Sequence, residues 1–194
     1  MPRPSRRADV LRAASARFFR DGIAATGVDT VIADAGVAKM TLYGNFASKE
    51  ALVVAYLEDR DQHFFELLEE EIARRGTPVE RALAPLALYR RYLDEDGFRG
   101  CAFVNAAAEL PSGHLGRAVI VRHKKRLRER WTELIAEVGV AEPDRIALHC
   151  LLLLEGAYTQ AGLGLESALL DDAQAFARDR LADALSAPMP AGSD

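Results

Sequence analysis

At 194 residues the chain has room for one sizeable core, or for a small module fused to a larger one. Ala, Leu, Arg and Glu dominate while Asn, Thr and β-branched runs are scarce, which favours an all-α protein over a β-rich one. The net charge of −4 argues, taken alone, against a nucleic-acid binder.

Other classes fall away quickly. No apolar stretch approaches the roughly 18 to 20 residues of a membrane span, and the opening MPRPSRRADV is too basic for a signal peptide, so the expected location is the cytoplasm. Cys101 and Cys150 stand far apart and outside any CxxC pair, so thiols are expected and zinc is not. His63, His114, His123 and His149 lack metal-ligand spacing, and no Gly-rich phosphate loop occurs, so no metal, cofactor or catalytic set is expected. The distribution of charge along the chain, unlike its sum, favours nucleic acid. Residues 1–50 carry eight cations against five anions, a net +3 that leaves −7 for the remainder, as expected where only one module touches phosphates.

In chain order, a first helix is predicted from about Ser5, with Val10, Ala13, Ala14, Arg17 and Phe18 at helical spacing, ending at Asp21-Gly22. Thr26 or Gly27 caps a short second helix through Ala35, whose Val28, Val31 and Ile32 share a face. Gly36 supplies a tight reversal, and a third helix holds Lys39 to Asn45. Ser48 caps a longer fourth helix toward Ile72. Gly76-Thr77-Pro78 opens a helix to about Leu93, Asp94-Glu95-Asp96-Gly97 breaks the chain, and an apolar helix is predicted from Arg99 to Leu110. Further helices are predicted from about Leu115 to Val138, from Pro143 to Leu163, and from Ser167 to Ala184, ahead of a Pro/Gly/Ser tail expected to be disordered.

Helix, glycine turn, helix over residues 26–45 is the helix-turn-helix arrangement, in which the second helix enters the major groove. Val37 and Leu42 pack inward on Val31, Ile32 and Phe18 in this reading, leaving Lys39, Thr41, Tyr43 and Asn45 outside.

The same stretch resembles the tetracycline-repressor (TetR) family of one-component regulators through Thr26, Val28, Ala35-Gly36-Val37, Thr41-Leu42-Tyr43, Phe46 and Ser48-Lys49-Glu50. The match covers roughly residues 8 to 55, about a quarter of the chain. Ala38 stands where the family often has a capping Ser, a difference worth about 1 kcal/mol of helix stability; Met40, Asn45 and Ile32 also depart from the common pattern. The resemblance implies a DNA-binding set of Lys39, Thr41, Tyr43, Asn45, Lys49 and Thr26, with Tyr43 and Lys49 as phosphate contacts and Lys39, Thr41 and Asn45 near base edges. It also implies a helix-turn-helix domain over 1–47, a helical effector-binding and dimerising domain over 48–187, and a tail over 188–194.

Outside the module, Arg3, Arg6 and Arg7 form a basic arm that suits phosphates or a minor groove. The basic run from His123 to Arg130 reads as a solvated helix face. The helix from Pro143 to Leu163 is apolar nearly all round and must be covered on both sides, which the resemblance assigns to a homodimer interface. Residues 99–109 resemble the Gly-Cys-Asn-Glu helix of a thiol-sensing subgroup, making Cys101 a candidate redox sensor beside Arg99, against the reading of a packed, inert thiol. Tyr89, Phe103, Asn105, Glu109 and Tyr158 are the candidate effector contacts. The expected function is a homodimeric repressor that binds a double-stranded operator and responds to a small molecule. The rivals are a helical protein-binding adaptor and a thiol enzyme.

Overall fold

The computed structural model describes residues 6–94, 97–165 and 168–186. Arg3, Glu95, Asp96, Ser167 and the tail after Ser186 therefore lie outside the described residues. Those described form an all-α architecture with no strand: α1 (Arg6–Asp21), α2 (Val28–Ala35), α3 (Lys39–Asn45), α4 (Lys49–Ala73), α5 (Pro78–Ala82), α6 (Ala84–Leu93), α7 (Ala102–Glu109), α8 (Gly116–Ala136), α9 (Pro143–Gly162) and α10 (Leu169–Ser186). No described helix is long and apolar enough to cross a membrane.

Packing groups the chain into two units that are not sequential. One gathers residues 1–64 and 101–123, the other residues 65–100 and 124–194, and α4 and α8 each run through both. The first unit packs Val10, Ala14 and Phe18 of α1 with Val31, Leu42, Leu52 and Tyr56, and with Phe103 and Ala106 of α7. In the second, Trp131 is fully buried and donates from Nε1 to the Ala82 carbonyl at 2.8 Å. There the buried Glu71 receives Arg75, together with Arg91 at 3.2 Å. Burial alone would raise its pKa, yet these guanidiniums hold it below the usual carboxylate value.

Several helix limits follow their caps. Ser48 Oγ accepts the Ala51 amide at 3.0 Å and starts α4. Thr77 and Glu80 form a reciprocal capping box behind Pro78 and start α5.

Three expectations need correction. The helix predicted from Pro78 to Leu93 is interrupted at Leu83, because Pro85 has no N–H to carry the ladder across the join. The helix predicted from Arg99 begins only at Ala102, since Gly100 takes φ +81° and Cys101 is extended. The basic run on α8 is not one solvated face. His123 is completely buried, 2.8 Å from Asp61 through Nδ1 and stacked on Phe103 at 3.7 Å between ring centroids. Leu127 is buried as well, because both fall on the helical stripe of Ile120, Trp131 and Leu134.

Candidate nucleic-acid interface

The geometry of α2 and α3 starts at Gly36. Its φ of 60° and ψ of 40° place it in the left-handed region, where glycine carries no Cβ penalty. The Gly36 and Val37 amides then donate to Ala33 and Ile32, closing α2 and redirecting the chain into α3. α2 starts at Gly27 without a side-chain cap, and α3 starts at Ala38, which has no side chain able to supply one.

Leu42 is fully buried against Val31 and Phe18, with Ile32 and Val37 partly buried beside it. That fixes which face of α3 looks outward. Lys39, Met40, Tyr43 and Asn45 are exposed and Thr41 is half-buried. Met40, at 87% exposure, is the most exposed large apolar side chain among those described. Lys39 Nζ lies 3.3 Å from Asp29, a pairing of two exposed groups that costs little to give up. Asn45 Nδ2 donates to the Thr41 carbonyl at 2.7 Å, one turn back on its own helix.

α1 is bracketed to α2 by Arg17, whose guanidinium donates to both oxygens of Asp34, at 3.0 Å for the second contact, and to Asp21 at 3.1 Å. Hydrogen bonds from Arg20 and then Arg17 hold the Asp21 carboxyl down to about 2, and Arg17 likewise lowers that of Asp34. The bracket stays ionised at any pH where DNA binding is measured.

Two of the residues expected at DNA look elsewhere. Thr26 is 3% exposed, and its hydroxyl donates to the Gly22 carbonyl at 2.7 Å. Lys49 Nζ donates to the Ile23 carbonyl at 2.6 Å. The candidate effector residues also divide. Tyr89 and Tyr158 belong to the second unit, where their rings meet edge to face at 4.7 Å and Phe98 joins Tyr158 at 5.0 Å. Phe103, Asn105 and Glu109 belong to the first. There Phe103 is stacked on His123, Asn105 is half-buried, and the Glu109 carboxylate accepts the Ala24 amide at 2.6 Å. Cys101 is half-buried at the N-terminus of α7 without a side-chain cap bond. Cys150 is buried, and burial pushes its thiol up to about 11.

Residues 10–56 match the family model of bacterial regulatory proteins of the tetR family. The chain is a TetR-family transcriptional regulator. Among curated proteins it is similar to the transcriptional regulator AcuR of Cereibacter sphaeroides, with 28% identity over 80% of this chain and 76% of that one. It is also similar to the HTH-type transcriptional repressor KstR2 of Mycobacterium tuberculosis, with 26% identity over 72% and 71%. Among solved structures, a TetR-family regulator from Streptomyces coelicolor superposes with a TM-score of 0.86 at 28% identity, covering 93% of this chain and 96% of its own. Regulators of this family are non-enzymatic transcription factors, so the TetR assignment removes the thiol-enzyme reading.

Sequence reasoning missed the exposed Met40 as a feature of the outer face, the Arg17 bracket, and the backbone engagement of Lys49 and Glu109. Only the bracket left a local signal, in the spacing of Arg17 and Asp21.

Proposed function

We propose that the protein is a homodimeric repressor that reads an inverted-repeat operator through α3 and is released by a small-molecule effector. The observation that carries this reading is the two-sidedness of α3: Leu42 is completely buried while Lys39, Met40, Tyr43 and Asn45 are exposed behind a left-handed glycine turn. Lys39 and Thr41 suit base edges and Tyr43 a phosphate, with Asn45 holding the α3 backbone. If this is so, specific retention of a duplex weakens steeply with salt, the slope reporting the number of phosphates neutralised. Salt-independent retention would contradict it.

Dimerisation is supported by the outer face of α9 and α10. Leu152 and Phe176 are 62% and 54% exposed and flank a cleft of about 450 Å³ that Gly156, Ala157, Leu169 and Ala173 also line. Small residues beside large exposed apolar ones suit close approach of a second copy.

The effector is proposed as an apolar small molecule with a few polar groups, met by the Tyr89, Phe98 and Tyr158 cluster in the second unit. A panel of such molecules, screened for release of operator DNA, tests it, and substitution of Tyr158 must alter the response. Cys101 is the candidate for thiol control. Alkylation that releases DNA from the wild type and from Cys150→Ser, but not from Cys101→Ser, supports that role; full modification of Cys101 with binding retained refutes it.

A further inference from the structure

The Ile23 carbonyl and the Ala24 amide are the two ends of a single peptide group, and both are held by charged side chains. Lys49, the first residue of α4, donates Nζ to the carbonyl oxygen at 2.6 Å; Glu109, the last residue of α7, accepts the amide hydrogen at 2.6 Å. A cation and an anion thus grip one peptide from its two poles, aligned with its dipole, in the turn that joins α1 to α2. Bonds from charged partners are the stronger class of hydrogen bond.

The surroundings are built for this grip. Gly22 takes φ +95°, which favours glycine, and a Cβ there would stand 3.1 Å from both Glu109 carboxylate oxygens and push the carboxylate back by a few tenths of an ångström. Thr26 donates to the Gly22 carbonyl and so occupies the neighbouring acceptor. The jaws are themselves anchored. Arg117 donates to the carbonyls of Ala107, Leu110 and Pro111 at 2.8–3.0 Å, fixing the end of α7. Glu50 accepts the Leu115 amide at 3.0 Å, fixing the start of α4 to the segment leading into α8. Against that frame the α1–α2 turn is the held part.

We propose that Lys49 and Glu109 are positioning residues that clamp the Ile23–Ala24 peptide between them, setting the placement of α2, and through the Gly36 turn of α3, against α4 and α7. The clamp is the joint through which α7 bears on the DNA-reading helices. The proposal deepens the repressor reading and rests on it for its DNA readout. It gives Lys49 a task other than a phosphate contact and Glu109 a task other than an effector contact.

A double-mutant cycle tests it, using the duplex that the wild-type protein selects. Lys49→Ala, Glu109→Ala, the double variant and Glu109→Gln are compared for affinity across a salt series, with thermal unfolding as a check on folding. A loosened turn populates the binding-competent arrangement less, so each single Ala variant is expected to bind about tenfold more weakly. The double variant loses little more than either single one, because both act on one peptide. Glu109→Gln restores most of the affinity, its amide oxygen still accepting from Ala24, and the salt slope of Lys49→Ala equals that of wild type.

The proposal is overturned if Lys49→Ala lowers the slope by the roughly 0.9 expected of one lost phosphate contact while Glu109→Ala binds like wild type. Additive losses overturn it equally. Should Glu109→Ala not fold, amide exchange at Ala24 decides: protected in wild type and faster in Lys49→Ala supports the clamp, and unprotected in wild type or equally protected in Lys49→Ala refutes it. If wild type retains no duplex at all, the regulator reading fails, and the Ala24 exchange still tests the clamp on its own.

Discussion

Phe176→Ala is expected to weaken self-association without unfolding the chain. Complete burial of a Leu or Phe side chain is worth about 1.5–3 kcal/mol. With Leu152 62% and Phe176 54% exposed, more than half of that burial remains to be gained, about 1–2 kcal/mol per side chain. An isologous interface meets each substitution twice, so Phe176→Ala costs association about 2–4 kcal/mol, a rise in Kd of about 30- to 1000-fold. Folding of the single chain loses less, about 0.7–1.4 kcal/mol on the same reckoning, because about half of the side chain already lies outside the core. Sedimentation velocity from nanomolar to micromolar protein reads the first quantity and urea unfolding the second. Leu152→Glu carries the same test further by placing a charge where the second copy must sit. A wild type that sediments as a monomer at micromolar concentration, or a Phe176→Ala variant that associates as tightly as wild type, refutes the reasoning.

Lys39→Ala is expected to relax base preference at one half-site position by about 1–3 kcal/mol, seen by comparing affinities for single-base operator variants; a uniform loss across all variants would make Lys39 a phosphate contact instead. Trp131→Phe deprives the Ala82 carbonyl of its donor and should lower unfolding stability by about 1–3 kcal/mol, with further loss from the smaller ring, measured as a shifted urea midpoint at unchanged slope. Cys150 has its thiol raised from 9.0 to about 11, so the folded state holds that proton more tightly than the unfolded one. Its contribution to stability is therefore full below pH 9 and fades as pH rises toward 11, by about 2–3 kcal/mol. Cys150→Ala should remove that part of the alkaline slope, and an unchanged slope would show that Cys150 is not the group responsible.

What was legible in the sequence was the part encoded locally. α2 ends and α4 begins where Gly36 and Ser48 place them, because caps and left-handed turns depend on one or two residues. The burial of Leu42 beside an exposed Tyr43, one step of about 100° further round the helix, accords with helical period. α7 was harder: its start was expected at Arg99, but the left-handed Gly100 keeps Arg99 to Cys101 out of the helix. The roles of Lys49 and Glu109 were out of reach. Their backbone partners lie 26 and 85 residues away, and a charged side chain on an isolated helix looks alike whether it meets solvent, DNA or a peptide group. His123 shows the converse, a member of a basic run by sequence and of the core by position.

Selection of bound duplexes from a random pool by the full-length protein is the measurement that bears most directly on its being a dimeric DNA-reading regulator. The expected product is an inverted repeat whose half-sites lie about one helical turn apart or slightly more, the spacing of two α3 helices on a symmetric dimer. Enrichment of a site without two-fold symmetry, or no enrichment at all, would contradict it.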